Sequence, residues 1–267
     1  MPMNRTVVAI TGASSGIGAE FARALAPRHD LLLIARRKER LEPLAVELAR
    51  AHGANCEVLA ADLGAEADLA RVAGRIRTEA RLEILINNAG FGSRGLFWEA
   101  PLETQEQMHR LHVLATVRLT HAALGNLVPR RTGALINVAS VAAFTRRAGG
   151  ASYGATKSWM AVFTEGLYLE LRAAGSPVVA QALCPGFTYS EFHDVMGVER
   201  SRMAPPAFWL TAKHVVRDSL AGLRQRKLFV VPGWRYRLLV AAFTKLPVRA
   251  RLAIEARAPG RERGAAE

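Results

Sequence analysis

Short, largely apolar runs separated by helix-periodic stretches constrain this chain more than any other feature. Thr6–Thr11 (TVVAIT), Asp30–Ala35 (DLLLIA), Cys56–Ala61 (CEVLAA), Glu83–Ile86 (EILI), Ala134–Val138 (ALINV), Val178–Leu183 (VVAQAL) and Leu228–Val231 (LFVV) are each long enough for one strand. They lack the polar alternation of a strand with one wet face, so they predict strands buried on both faces. Helical stretches intervene at Ala19–Ala26, Glu39–Gly53, Leu102–Leu127, Gly150–Ala173 and Thr211–Arg224, the last with Thr211 as its N-cap. Strand–helix alternation is the pattern of an α/β chain whose parallel sheet is covered by helices on both sides. In such sheets ligands bind at the carboxyl ends of the strands, so the residues just past each run are the ones to read for function.

At 267 residues the chain can bury a substantial core, and half of its residues are hydrophobic. Two cysteines, Cys56 and Cys184, both inside apolar runs, offer neither a disulfide framework nor a Cys/His metal cluster. The five residues before the first strand leave no room for a secretory signal, and the expected location is the cytoplasm. The longest charge-free stretch, Ala173 to Ser190, is broken by Gly175, Pro177, Pro185 and Gly186 and is no membrane span. The net charge of +13 is concentrated after Ser201, where fourteen Lys/Arg meet four Asp/Glu. Arginine supplies 31 of the 36 basic residues and alanine is abundant, which is the mark of compositional bias. No nucleic-acid-reading element accompanies the charge, so no nucleic-acid partner is expected.

After the first strand comes Gly12-Ala13-Ser14-Ser15-Gly16-Ile17-Gly18, then a helix. Strand, glycine turn and helix together let backbone N–H groups and a helix N-terminus receive a pyrophosphate. The second strand ends in Arg36-Arg37-Lys38, where a carboxylate would suit the ribose hydroxyls of NAD and cations suit the extra phosphate of NADP. Arg36 is taken as the phosphate ligand, with Arg37 and Lys38 as surface residues, and the expected cofactor is NADP(H). The third strand delivers Asp62-Leu63, with Asp62 facing an adenine or capping the helix that begins near Glu66. The fourth ends in Asn87-Asn88-Ala89-Gly90, polar amides and a glycine that allow close approach to a ligand or brace the neighbouring strand.

Ser140 follows the fifth strand, and Tyr153 and Lys157 lie one helical turn apart thirteen residues later. A tyrosine with an ordinary pKa of about 10 is a poor acid near neutrality, and a neighbouring cation lowers that value. With a serine hydroxyl bonding the same oxygen, the trio outlines a carbonyl-reducing site.

These motifs together, TGASSGIG (11–18), NNAG (87–90), the serine of NVAS (137–140), YGATK (153–157) and CPG (184–186), resemble the short-chain dehydrogenase/reductase family over roughly residues 5 to 232. The resemblance implies a doubly wound, three-layer Rossmann-like sandwich with a seven-stranded parallel sheet in the order 3-2-1-4-5-6-7, in a homodimer or homotetramer. It implies that Tyr153 is the proton donor, Ser140 orients the substrate carbonyl, and Lys157 lowers the tyrosine pKa and holds the nicotinamide ribose. It places Gly12, Ser14, Ser15, Gly16, Ile17 and Gly18 at the cofactor turn, Asp62 and Leu63 beside Asn88, Ala89 and Gly90 on the adenosine wall, and Pro185 and Gly186 near the nicotinamide. In the family's mechanism a hydride passes from NADPH to a carbonyl carbon while the tyrosine supplies a proton, and the reverse reaction oxidises an alcohol.

Two positions depart from the family pattern. The asparagine common in the helix before the serine strand is His112, which preserves a backbone-held water, adds a group titrating near neutrality, or is a tolerated helix residue. The threonine expected four residues after the CPG glycine is Ser190, with Thr188 close by.

A substrate lid is expected over about 187–210, holding Phe187, Tyr189, Phe192, Met196, Met203, Phe208 and Trp209. Phe91, Trp98 and Phe144 follow other strand ends and can line the same pocket. Such a lining suits a hydrophobic small-molecule or acyl substrate, Arg146 and Arg147 being the nearest charges. The single domain is expected over 1–233, followed by a basic amphipathic extension over 234–257 and a disordered tail over 258–267. The extension reads first as a cover for the chain's own core or a partner subunit, and less readily as a peripheral membrane contact. The expected activity is reduction of a hydrophobic ketone or 3-oxoacyl-like carbonyl. The alternatives are an NAD(P)-dependent alcohol or hydroxysteroid dehydrogenase, and a non-catalytic NADP-binding regulator.

Overall fold

A computed structural model describes residues 5–93, 95–191 and 204–257. β1 (Val7–Thr11), β2 (Asp30–Ala35), β3 (Cys56–Ala60), β4 (Leu82–Asn87), β5 (Ala134–Val138) and β6 (Val179–Leu183) pair in parallel. Two further residues pairs, β7 (Thr188–Tyr189) with β8 (Leu210–Thr211), form a separate ribbon, and β9 (Phe229–Val230) adds to the edge of β6. The main sheet therefore has seven parallel strands in the order β3-β2-β1-β4-β5-β6-β9, a Rossmann-like α/β fold.

The expected strands match these within one or two residues. They were readable because both faces are covered: side chains on a strand alternate between faces, and here each face carries its own core. Val8, Ile10, Leu31 and Leu33 pack on one side with Phe21 and Leu25 of helix α1 (Gly16–Leu25), and with Leu41 and Leu48 of α2 (Lys38–His52). Val7, Ala9, Leu32 and Ile34 pack on the other with Leu69, Val72 and Ile76 of α3 (Glu66–Arg77). Burying one such large side chain contributes about 1.5–3 kcal/mol, which is why the continuous apolar runs dictate the layers.

The expected single helix over 102–127 is three segments. α4 (Leu102–His109) passes through a wide π-helical turn, Arg110–Ala115, into α5 (Thr116–Leu127). The wide turn carries His112 inward, where it is fully buried. α6 (Ala151–Ala173) bears Tyr153 and Lys157, and α7 (Ala212–Arg224) starts at Thr211, whose hydroxyl accepts from His214 N at 3.1 Å as an N-cap. α8 (Trp234–Lys245) and α9 (Val248–Arg257) follow, divided at Pro247. The order of strands reverses between β1 and β4, and the crevice at their carboxyl ends is where such a sheet receives a ligand.

Phe192, Met196 and Met203 of the expected lid, and the tail over 258–267, lie outside the described residues. Among the described residues no helix is long and apolar enough to cross a membrane.

Candidate active site

One cleft of about 1840 Å3 runs along the carboxyl ends of the strands, well beyond the roughly 300–1,000 Å3 of a pocket for one drug-sized ligand. At one end lies the turn between β1 and α1. Gly12 has φ +66°, and a Cβ on Gly18 would stand 2.2 Å from the Gly12 carbonyl oxygen, so only glycine lets the strand and helix close together there. Asn88 holds the turn from below: its Nδ2 donates to Thr11 O at 2.9 Å and Gly12 O at 3.2 Å. Thr11 Oγ1 in turn accepts from Asn88 N and Ala89 N at 2.9 and 3.0 Å. The turn thus faces the cleft with Ser14, Ser15, Gly16 and Ile17 on its lining. The positive end of α1 points at the same space, the arrangement that suits a dinucleotide's pyrophosphate.

The arginine that reaches this turn is Arg37. Its Nη2 donates to Ser14 Oγ at 3.1 Å and to Ser15 Oγ at 3.2 Å. Arg36, expected as the phosphate ligand, is exposed and lines the cleft; Arg37, read as a surface residue, is half-exposed, lines it too, and is the one that bonds the turn. Lys38 is at the surface as expected, paired with Glu42. Asp62 also lines the cleft, next to the buried Leu63. It does not cap α3, whose N-cap position is Ala65; its Oδ1 instead accepts from Gly64 N at 2.9 Å.

Further along the cleft, Ser140 follows β5 and Tyr153 and Lys157 face it from α6. Tyr153 and Ser140 are hydrogen-bonded, and Ser140 Oγ lies 3.4 Å from Pro185 O. Lys157 is buried, donates from Nζ to Val138 O at 2.8 Å, and stands 5.9 Å from the centroid of the Tyr153 ring. Burial brings the Lys157 ammonium down to about 8. It pushes the Tyr153 phenol up to about 12, against the hydrogen bond from Ser140. Desolvation sets this direction, while the Lys157 ammonium is turned towards the Val138 carbonyl. Part of the tyrosine still borders the open cleft, where water moderates the rise.

His112 is tied on both sides. Phe91 N donates to its Nε2 at 3.2 Å, which puts the ring proton on Nδ1, 2.9 Å from Thr156 Oγ1. Thr156 Oγ1 donates onward to Tyr153 O at 3.0 Å, and the imidazole ring meets the Tyr153 ring edge-on at 6.0 Å. Burial, with Lys157 nearby, holds His112 well below its ordinary value, so it is a neutral brace and not a group titrating near neutrality. Gly90 packs directly against this ring.

On the far side, Pro185 O accepts from Val141 N at 3.0 Å, and Thr188 Oγ1 donates to Gly186 O at 3.0 Å, leaving Thr188 and Ser190 beside the cleft. Phe91, Phe187 and Phe208 line it, whereas Trp98 does not and is 78% exposed. Phe144 packs edge-on against Phe229 at 6.0 Å instead of lining the cleft. Arg146 and Arg147 are on the wall.

Residues of the C-terminal helices that the sequence reading left unassigned complete the cleft: Tyr236, Leu239, Phe243, Ile254 and Glu255. Tyr236 is buried, donates from its hydroxyl to Phe208 O at 2.7 Å and accepts from Phe187 N at 2.9 Å. Its ring lies so close to Gly186 that a Cβ there would be 2.0 Å from Tyr236 Cζ. A tyrosine between two arginines in an amphipathic stretch carries no local signal of this contact. Among the described residues no cluster of His, Cys, Asp or Glu could hold a metal, and both cysteines are free thiols.

Comparison with known proteins gives the family. The family profile described as short chain dehydrogenase matches residues 6–199. A short-chain dehydrogenase from Sphingobium yanoikuyae, solved in complex with NADPH, is 36% identical, with a TM-score of 0.83 over 97% of this chain and 99% of that one. The bulky-bulky ketone specific alcohol dehydrogenase from Comamonas testosteroni is 30% identical, with a TM-score of 0.78 over 99% and 98%. The 3-oxoacyl-[acyl-carrier-protein] reductase FabG of Aquifex aeolicus is 29% identical over 71% of this chain and 77% of its own. Curated relatives are matched over as little as 59% of their length. With its sheet order, its glycine turn and its Ser140–Tyr153–Lys157 cluster in one cleft, this chain belongs to the short-chain dehydrogenase/reductase family of oxidoreductases, which work with a nicotinamide cofactor.

Proposed function

We propose that the protein is an NADP(H)-dependent carbonyl reductase acting on a bulky, apolar ketone or 3-oxoacyl-like carbonyl. The observation that carries this reading is the continuity of one cleft, with the Arg37–Ser14–Ser15 cluster at one end and Ser140, Tyr153 and Lys157 further along it. The residues present fit the cofactor. Gly12, Gly16, Ile17 and Gly18 form its turn; Arg37, with Ser14 and Ser15, takes the 2′-phosphate while Arg36 flanks it. Asp62, Leu63, Asn88, Ala89 and Gly90 form the adenosine wall, and Pro185, Gly186, Thr188, Ser190 and Lys157 border the nicotinamide end.

When bound, the reduced nicotinamide supplies a hydride to the carbonyl carbon. The protein's share is to bind, orient and protonate. Ser140 and Tyr153 present two hydroxyls to one carbonyl oxygen, fixing its position and stabilising the charge that develops there. Tyr153, fully protonated at neutral pH with a pKa pushed up to about 12, gives its phenolic proton to that oxygen. Lys157, held behind it through Val138 O, favours the phenolate left behind and takes up the ribose. Phe91, Phe187, Phe208, Leu239, Phe243 and Ile254 give the substrate end an apolar wall. The similarity to a bulky-ketone dehydrogenase and to a 3-oxoacyl reductase supports this substrate class.

The reading includes a cytoplasmic homodimer or homotetramer; exposed Leu114, Val117, Val162 and Leu169 on adjoining helices support self-association. The test is NADPH- and NADH-dependent reduction of a panel of aryl ketones and 3-oxoacyl thioesters. Turnover of bulky carbonyls with NADPH is expected, and turnover confined to small charged carbonyls, or to NADH, refutes the reading.

A further inference from the structure

We infer that Glu191 is a cofactor-specificity residue whose carboxylate occupies, between Arg37, Arg40 and Ser15, the place that the 2′-phosphate of NADP(H) takes. The inference rests on the NADP reading above and deepens it.

Glu191 follows β7, more than 150 residues after the two arginines it meets. Its Oε2 lies 2.8 Å from Arg37 Nη2, and its other oxygen pairs with Arg40. Ser15 also hydrogen-bonds the carboxylate. The same Arg37 nitrogen bonds Ser14 and Ser15, so the acid is seated in the cluster assigned to the phosphate. The chain reaches it by passing directly over the cofactor turn: a Cβ on Gly16 would stand 2.9 Å from Ser190 Cβ. Two guanidinium groups and a serine hydroxyl beside a helix N-terminus make a phosphate-binding set, and the chain's own anion fills it.

Arg37 holds the Glu191 carboxyl below the usual carboxylate range, so it is charged at neutral pH. A carboxylate and a phosphate cannot share these donors. NADP(H) must displace Glu191, and its greater charge and extra acceptor oxygens allow it to do so. A cofactor with only a 2′-hydroxyl leaves both ion pairs standing and meets an acceptor for that hydroxyl. Glu191 therefore narrows the preference for NADP(H) that the arginines create.

The test compares adenosine 2′,5′-bisphosphate with 5′-AMP by calorimetric titration of the full chain and of Glu191→Gln, with thermal unfolding as the check on folding. Half-exposed ion pairs of this kind are each worth at most about 1 kcal/mol. The bisphosphate is accordingly expected to bind Glu191→Gln about two- to five-fold more tightly than the parent, with 5′-AMP unchanged or weaker. Glu191→Ala repeats the measurement should the glutamine variant unfold. Equal or weaker bisphosphate binding by a folded variant overturns the inference alone. A bisphosphate that binds no better than 5′-AMP to either protein overturns the NADP reading, and this inference with it.

Discussion

His112 Nδ1 lies 2.9 Å from Thr156 Oγ1, joining the π-helical turn between α4 and α5 to the helix that carries Tyr153 and Lys157. The imidazole is wholly buried and held neutral, its pKa depressed by burial first and by Lys157 second. In the unfolded chain it regains a value near 6.5, so below that pH the unfolded state binds a proton that the folded state refuses. Stability is full above about pH 6.5 and is lost as the pH falls, by at most about 1.4 kcal/mol per pH unit for this one group. Thermal unfolding from pH 8 to pH 5 should show that decline, and His112→Asn should reduce it, His29, also held low by burial, keeping a share. An unchanged slope in the variant would mean that His112 is not the group refusing the proton.

Thr11→Val should destabilise the protein by about 2 kcal/mol, because it strips the acceptor from the N–H groups of Asn88 and Ala89 while keeping the side-chain shape. Denaturant unfolding measures the loss. Since the same hydroxyl aligns the strand end beneath the glycine turn, NADPH binding should weaken with it.

Tyr236→Phe removes a hydroxyl that joins Phe187 to Phe208 and is expected to cost about 1–2 kcal/mol. Gly186→Ala drives a methyl into the same ring, and overpacking of this kind costs typically about 1–3 kcal/mol. Tyr236 borders the substrate end and Gly186 the nicotinamide end, so in Tyr236→Phe KM for a bulky ketone should rise more than KM for NADPH. Equal effects on both would place Tyr236 outside the substrate's reach.

Arg37→Ala should weaken NADPH binding on the order of ten- to a hundred-fold, the loss expected for a charge-assisted hydrogen bond, and leave NADH close to unchanged. Arg36→Ala, at the exposed rim, should do much less. Fluorescence titration of both variants separates the two arginines.

The sheet and the glycine turn were legible because their signals are local. Strands such as Val7–Thr11 are buried on both faces and read as unbroken apolar runs, and the turn requires glycine locally, Gly12 by its positive φ and Gly18 by its approach to the Gly12 carbonyl. Ser140, Tyr153 and Lys157 were legible by spacing and by resemblance. What the sequence did not disclose depends on distant pairings. Which of Arg36 and Arg37 bonds the turn is set by the chain between β2 and α2, and Glu191 meets Arg37 and Arg40 only because the chain folds back over the turn. Tyr236 is hidden in a basic stretch whose neighbours face water. The state of Tyr153 is set by desolvation and by the direction of the Lys157 ammonium, neither of which spacing encodes.

The most direct test of the account is NADPH-dependent reduction of a bulky aryl ketone by the parent chain and by Tyr153→Phe, with NADPH affinity measured on both. Loss of a proton donor should lower kcat by about 10²–10⁴-fold while NADPH binds both proteins equally well. A Tyr153→Phe variant that turns over the ketone at the parent rate would contradict the assignment of the proton to Tyr153 and, with it, the reading of this cleft as a reductase site.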